Sequence, residues 1–209
     1  MLLLGLDFEI LVILIPVLIF SLCVHEFSHG YVAYLLGDNT AANAGRLTLN
    51  PLKHLDLAGS AMLLFVGFGW AKPVPISPYL SGRKLRAVAF AGPASNLILA
   101  LIGGIFIRFN FISFFPDENV AQAIFLFLII NVNLAVFNMI PIAPLDGSQI
   151  FGSILSNYNR SLAVKLQVYG PQVLLGLILF GIITGHSIIW MLMKPFISFF
   201  VYVFSGMSI

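Results

Sequence analysis

One cysteine, eight acidic and ten basic residues are all that this 209-residue chain carries of the groups that usually hold soluble domains together or in solution. With Cys23 alone, an internal disulfide framework and a cysteine-rich metal site are both excluded, and Cys23 reads as a small apolar helix residue. Charged residues make up 9% of the chain against 60% hydrophobic, with a mean hydropathy of +1.04. That balance excludes a soluble globular domain and leaves a polytopic membrane protein. The net charge of +2 is spread too thinly for a nucleic-acid surface, and the densest basic cluster, Arg83-Lys84-Leu85-Arg86, reads as a topology signal at a helix start. No glutamate follows Glu118, and no internal repeat, low-complexity linker or soluble module interrupts the chain. A single domain over 1–209 is expected, with a core at 8–156 and C-terminal helices at 170–205. No basic segment or small-residue cleavage site precedes the first apolar run, so that run is expected to stay as an anchor.

Within this apolar background lies His25-Glu26-Phe27-Ser28-His29. Two histidines four residues apart project from one face of a helix, and a glutamate sits between them. Two neutral imidazoles on one face can hold Zn²⁺, and a neighbouring carboxylate can accept a proton from water. The flanking run from Ile10 to Val24 has no charge, which places the motif inside a membrane helix of about Asp7 to Leu36, closed by Gly37. Ionisable groups at membrane depth cost roughly 2.5 kcal/mol or more when charged, so they usually line a functional cavity.

The pattern predicts about five spanning helices: the first, Leu85 to Phe109, Val120 to Ile140, and two segments at Val173 to Thr184 and Ser187 to Ser205. Leu57 to Trp70 is too short to span and reads as a re-entrant segment. Gly45 to Asn50 alternates apolar with polar, and Val74 to Ile76 lies among prolines, so short membrane-associated β-strands are expected at both. Their edges could hold an unwound substrate peptide. The small residues from Ala87 to Ser95 that open the second helix let another helix pack close, and Asn96 is read as bonding across that contact rather than reaching a site. Asn131, Asn133 and Asn138 should face the bundle rather than lipid.

A catalytic zinc usually takes three protein ligands. Asp146 is favoured as the third, because Pro141 and Pro144 break the preceding helix and irregular backbone at that depth implies a wet cavity. By chemistry alone, His54 and His186 remain alternatives.

His25-Glu26-Phe27-Ser28-His29, Ala91-Gly92-Pro93-Ala94-Ser95-Asn96 and Asn138-Met139-Ile140-Pro141-Ile142-Ala143-Pro144-Leu145-Asp146-Gly147 together resemble the site-2 protease family (M50) of intramembrane zinc metalloproteases. The resemblance covers roughly residues 8 to 156, in the compact prokaryotic form without PDZ or CBS domains. It implies one Zn²⁺ per chain on His25, His29 and Asp146, with Glu26 as general base and Asn138 near substrate or the oxyanion. It also implies transmembrane-helix protein substrates within the lipid bilayer. Gly147-Ser148 stands where the family has two glycines. A role for His54 at the site or in ordering its loop is open. The rival from another class is a zinc transport or metal-sensing protein, which would favour several carboxylates along a path. The basic residues predict a cell-membrane protein with its N-terminus outside and its site opening to the cytoplasm.

Overall fold

The structure is a computed structural model that describes residues 7–59, 62, 69–114 and 117–209. Its described elements are helical: α1 (Phe8–Leu35), α2 (Thr40–Asn43), α3 (Pro51–His54), α4 (Gly82–Arg108), a 3₁₀ turn (Phe111–Phe114), α5 (Glu118–Asn138), α6 (Asp146–Leu155), α7 (Arg160–Thr184) and α8 (Ile188–Ser205). Five of these, α1, α4, α5, α7 and α8, are long and apolar enough to cross a membrane. The protein is an all-α polytopic membrane protein.

Helix α1 runs through Pro16 and ends where Gly37 takes a φ of +94°, the left-handed conformation that glycine adopts without strain. Helix α5 ends at Asn138, because Pro141 and Pro144 have no N–H to continue its ladder. Two expected boundaries move. Helix α4 starts at Gly82 rather than Leu85, and α7 starts at Arg160 rather than Val173. In α7 the cause is a cap that polar composition concealed: Asn159 accepts from Leu162 N–H at 2.9 Å, and the helix then continues through Pro171.

The expected strands do not form among the described residues. Gly45 turns at φ +63°, and the Asn50 side chain accepts from Leu52 N–H at 3.0 Å, so the segment is spent on turning into α3. The proline-rich stretch cannot build a ladder, since Pro73, Pro75 and Pro78 carry no donor. A single antiparallel bridge, Leu55 to Ala71, is the extent of β pairing among the described residues. The greater part of the segment expected to be re-entrant, Leu57 to Trp70, lies outside them.

Residues 71–78 instead form an extended strap tied to its surroundings by its few donors. Lys72 N–H donates to His54 O at 2.7 Å and Ser77 N–H to Asp38 Oδ2 at 2.7 Å, while Lys72 O accepts from Arg46 Nη2 at 2.6 Å. Val74 is buried beside Gly30 of α1, where a Cβ would stand 3.2 Å from its methyl group. The apolar core lies between α4, α5 and α8, around Leu128, Val132, Ile197 and Val201. Helices α1, α4 and α5 pack on one another, and α6 packs on α4. Lys84 Nζ donates to Leu36 O at 3.2 Å, so the end of α1 and the start of α4 lie at one end of this group.

Candidate metal centre and active site

The helical period brings His25 and His29 onto one face of α1, and the break after α5 brings Asp146, first residue of α6, to meet them. His25 Nε2 and His29 Nε2 are 3.1 Å apart, and Asp146 Oδ2 lies 3.2 Å from the first and 3.3 Å from the second. Both histidines are buried and Asp146 nearly so. Among the described residues these three form the one group of histidine, cysteine or acidic side chains suited to a metal ion.

The outer nitrogen of each ring is already engaged. His29 Nδ1 donates to Val88 O at 2.7 Å, and His25 Nδ1 faces Asn96 Oδ1 at 2.6 Å. A neutral imidazole has one N–H. With the proton on Nδ1 in both rings, both Nε2 atoms turn lone pairs inward, where no hydrogen bond between them is possible. Asp146 Oδ2 is likewise buried without a hydrogen-bond partner. Three acceptors converging at such distances need a cation among them. At Zn–N and Zn–O bonds of about 2.0–2.2 Å, tetrahedral ligand atoms stand roughly 3.3 Å apart, close to the separations observed. The residues present therefore fit Zn²⁺.

Glycine makes the convergence possible at two places. A Cβ on Gly92 of α4 would overlap His29 Nε2 and stand 2.6 Å from His25 Nε2. A Cβ on Gly147 would run into the carbonyl oxygens of Met139 and Ile140, so the backbone beside Asp146 tolerates only glycine. Ser148 is buried, and its carbonyl accepts from Gln167 Nε2 at 3.4 Å.

Glu26 is half-buried on α1 beside the two histidines, and its Oε2 accepts from Val74 N–H of the strap at 3.0 Å. Asn138 ends α5 with its Nδ2 donating back to Leu134 O at 2.9 Å, and no hydrogen bond ties it to His25, His29 or Asp146 among the described residues. His54 is buried under the strap, donating through Nε2 to Thr48 O at 2.7 Å, and His186 sits exposed in the turn between α7 and α8. Neither joins the metal group. Val88, Gly92 and Ser21 were not singled out by sequence reasoning. Only the run of small residues opening α4 hinted at so close an approach of two helices.

This arrangement, a helix-borne His-Glu-x-x-His pair completed by an aspartate after a broken helix within a polytopic membrane bundle, defines a metal-dependent hydrolase of the membrane. The family model for Peptidase family M50 matches residues 103–181. The chain is 38% identical over 190 residues to YwhC of Bacillus subtilis, covering 85% of this chain and 84% of that one. It is 35% identical over 136 residues to Rip2 of Mycolicibacterium smegmatis and 32% over 135 residues to Rip2 of Mycobacterium tuberculosis, covering 61% of this chain and 51% of each relative. All three relatives are assigned by name to the zinc metalloproteases. No solved structure matches the chain. The protein belongs to Peptidase family M50 and is a metalloprotease.

Proposed function

We propose that this protein is an intramembrane zinc protease that cleaves peptide bonds in transmembrane segments of other membrane proteins. The convergence of His25 Nε2, His29 Nε2 and Asp146 Oδ2 carries this reading, with both outer ring nitrogens tied and Asp146 Oδ2 otherwise without a partner. These three residues hold one Zn²⁺ per chain. When bound, the ion supplies a Lewis acid that raises the acidity of water and polarises a peptide carbonyl.

Glu26 moves the proton. Val74 N–H holds Oε2, which leaves Oε1 to take a proton from the attacking water and deliver it to the departing amide nitrogen. Asn138, at the end of α5 where the backbone breaks, offers an amide to the substrate chain or to the oxyanion. A substrate helix must unwind locally for its carbonyls to be attacked. The strap is poorly suited to pair with it as a strand, because its Lys72, Val74 and Ser77 N–H groups are engaged internally.

The surroundings are the lipid bilayer of the cell membrane. The contact between Lys84 and Leu36 supports an even number of crossings between α1 and α4. In this reading the N-terminus is outside and the site opens to the cytoplasm.

The test is co-expression with a panel of single-span membrane proteins, comparing wild type with Glu26→Gln, and zinc analysis of both purified proteins. We expect cleavage of at least one panel member by wild type alone and equal zinc in the two. Undiminished cleavage by Glu26→Gln would end the assignment of Glu26 as base; absence of zinc from the wild type would end the metal assignment.

A further inference from the structure

Three buried polar residues, one from each helix of the α1, α4 and α5 group, form a continuous chain leading to His25. Ser21, Asn96 and Asn131 are each fully buried. Ser21 Oγ donates to Val17 O at 2.8 Å. Asn131 Nδ2 donates to Ser21 Oγ at 2.9 Å and to Phe127 O at 2.8 Å. Asn131 Oδ1 accepts from Asn96 Nδ2 at 2.8 Å, and Asn96 Oδ1 meets His25 Nδ1 at 2.6 Å.

The chain has a direction. Phe127 O is a carbonyl and only accepts, so the Asn131 amide must turn its NH₂ group toward it and its oxygen toward Asn96. Ser21 has spent its one hydrogen on Val17 O, so it too only accepts from Asn131. Asn96 then has its NH₂ directed at Asn131 Oδ1, with a longer contact to Ser21 O at 3.3 Å, and its oxygen is left for His25. His25 must place its proton on Nδ1, and Nε2 faces the metal group with a lone pair.

His29 needs no such chain, because its Nδ1 meets the Val88 carbonyl directly. An asparagine alone could present either end of its amide to His25, and half of those choices put a proton on Nε2, where it would block a metal. We infer that Asn131, although it touches neither histidine, is a positioning residue that fixes the tautomer of His25 through Asn96. The inference rests on the zinc reading above. Groups that orient a metal-binding histidine from behind typically alter metal affinity about 10- to 100-fold when removed.

The experiment measures zinc dissociation constants by chelator competition on purified protein at one pH. Asn131→Leu is expected to weaken zinc about 10- to 100-fold, because Asn96 is left with only the long contact to Ser21 O. The decisive variant adds Asn96→Asp to Asn131→Leu. A carboxylate can only accept, so it restores the proton to His25 Nδ1 whatever occupies position 131, and zinc affinity should return to within about threefold of wild type while thermal stability stays low. If Asn131 merely glued helices together, adding Asn96→Asp would leave zinc affinity as weak as in the single variant or weaker, and the inference would be wrong. Unchanged affinity in Asn131→Leu would also overturn it. Should Asn131→Leu not fold, Asn131→Ser, whose hydroxyl is too short to reach Asn96, is read by the same two criteria. A wild-type protein that binds no zinc would sink the metal reading itself, and this inference with it.

Discussion

Gly92 of α4 lies against His29 of α1 so closely that a methyl group on its Cα would overlap the Nε2 atom. The contact makes α4 one wall of the metal group, and the wall has no spare space. Forcing a methyl into a packed interior costs about 1–3 kcal/mol, roughly thirtyfold in affinity at the middle of that range. Gly92→Ala should therefore weaken zinc binding by about that factor and displace His25 as well, since its Nε2 would stand 2.6 Å from the new carbon. Chelator competition on the purified variant measures this, and wild-type affinity would show that α4 can withdraw without disturbing the site.

Asp146→Asn tests the third ligand with almost no change of shape. The amide either turns NH₂ toward the two lone pairs of His25 and His29, mimicking the cation, or presents a neutral oxygen in place of the carboxylate. Either way a charged ligand is lost. We expect zinc to fall below stoichiometric levels, with the protein still folded and cleavage of any panel substrate abolished. Stoichiometric zinc at wild-type affinity would require a different third ligand.

How much of this was legible in the sequence differs by element, for physical reasons. The His25 and His29 pairing follows from helical period alone, and the abrupt end of α5 follows from two prolines. Asp146 could be chosen because it is the carboxylate next to that broken helix. By contrast, Gly45 to Asn50 alternates as a strand would, yet alternation only matters if a partner strand is available, and Asn50 instead caps α3. The start of α7 was missed because Arg160, Ser161 and Lys165 dilute the apolar pattern and the signal is a local cap at Asn159. Asn131 and Asn133 look alike in sequence, two residues apart in one apolar helix. Only packing separates them: Asn131 enters the chain to His25, while Asn133 donates back to Ile129 O at 2.8 Å.

The strap depends on a charge. Burial opposes ionisation of Asp38, but Ser77 N–H, the Thr40 hydroxyl and Thr40 N–H all donate to it and hold its carboxyl below the usual carboxylate range. A lowered native pKa stabilises the folded form fully above the ordinary value of about 4 and loses that contribution as pH falls through the native value. In a Trp190→Phe background, Trp70 at the edge of the strap should give constant fluorescence from neutral pH down to about 4 and change below it. In Asp38→Asn the change should already be present at neutral pH. A pH response identical in wild type and Asp38→Asn would mean that another group anchors the strap.

The orientation in the membrane follows from which residues the metal group brings together. Its histidines lie in the C-terminal half of α1, Asp146 follows the end of α5, and α4 begins beside Leu36, so these three helix ends share one face of the bundle. Arg46, Lys53, Lys72, Arg83, Lys84 and Arg86 lie in or beside the loops of that face, and Arg160 and Lys165 open α7 just after α6. The connection between α4 and α5 has no basic residue after Arg108, whose guanidinium donates to Val203 O at 2.6 Å. By the positive-inside rule such an imbalance predicts that the metal end faces the cytoplasm. In a Cys23→Ala background, Asn119→Cys should be labelled in intact cells by a membrane-impermeant maleimide, whereas Tyr79→Cys, at a side chain 91% exposed on the strap side, should be labelled only after the cells are opened. Labelling of Tyr79→Cys but not Asn119→Cys in intact cells would invert the orientation. Equal labelling of both would mean that α4, which separates Tyr79 from Asn119, does not cross the membrane.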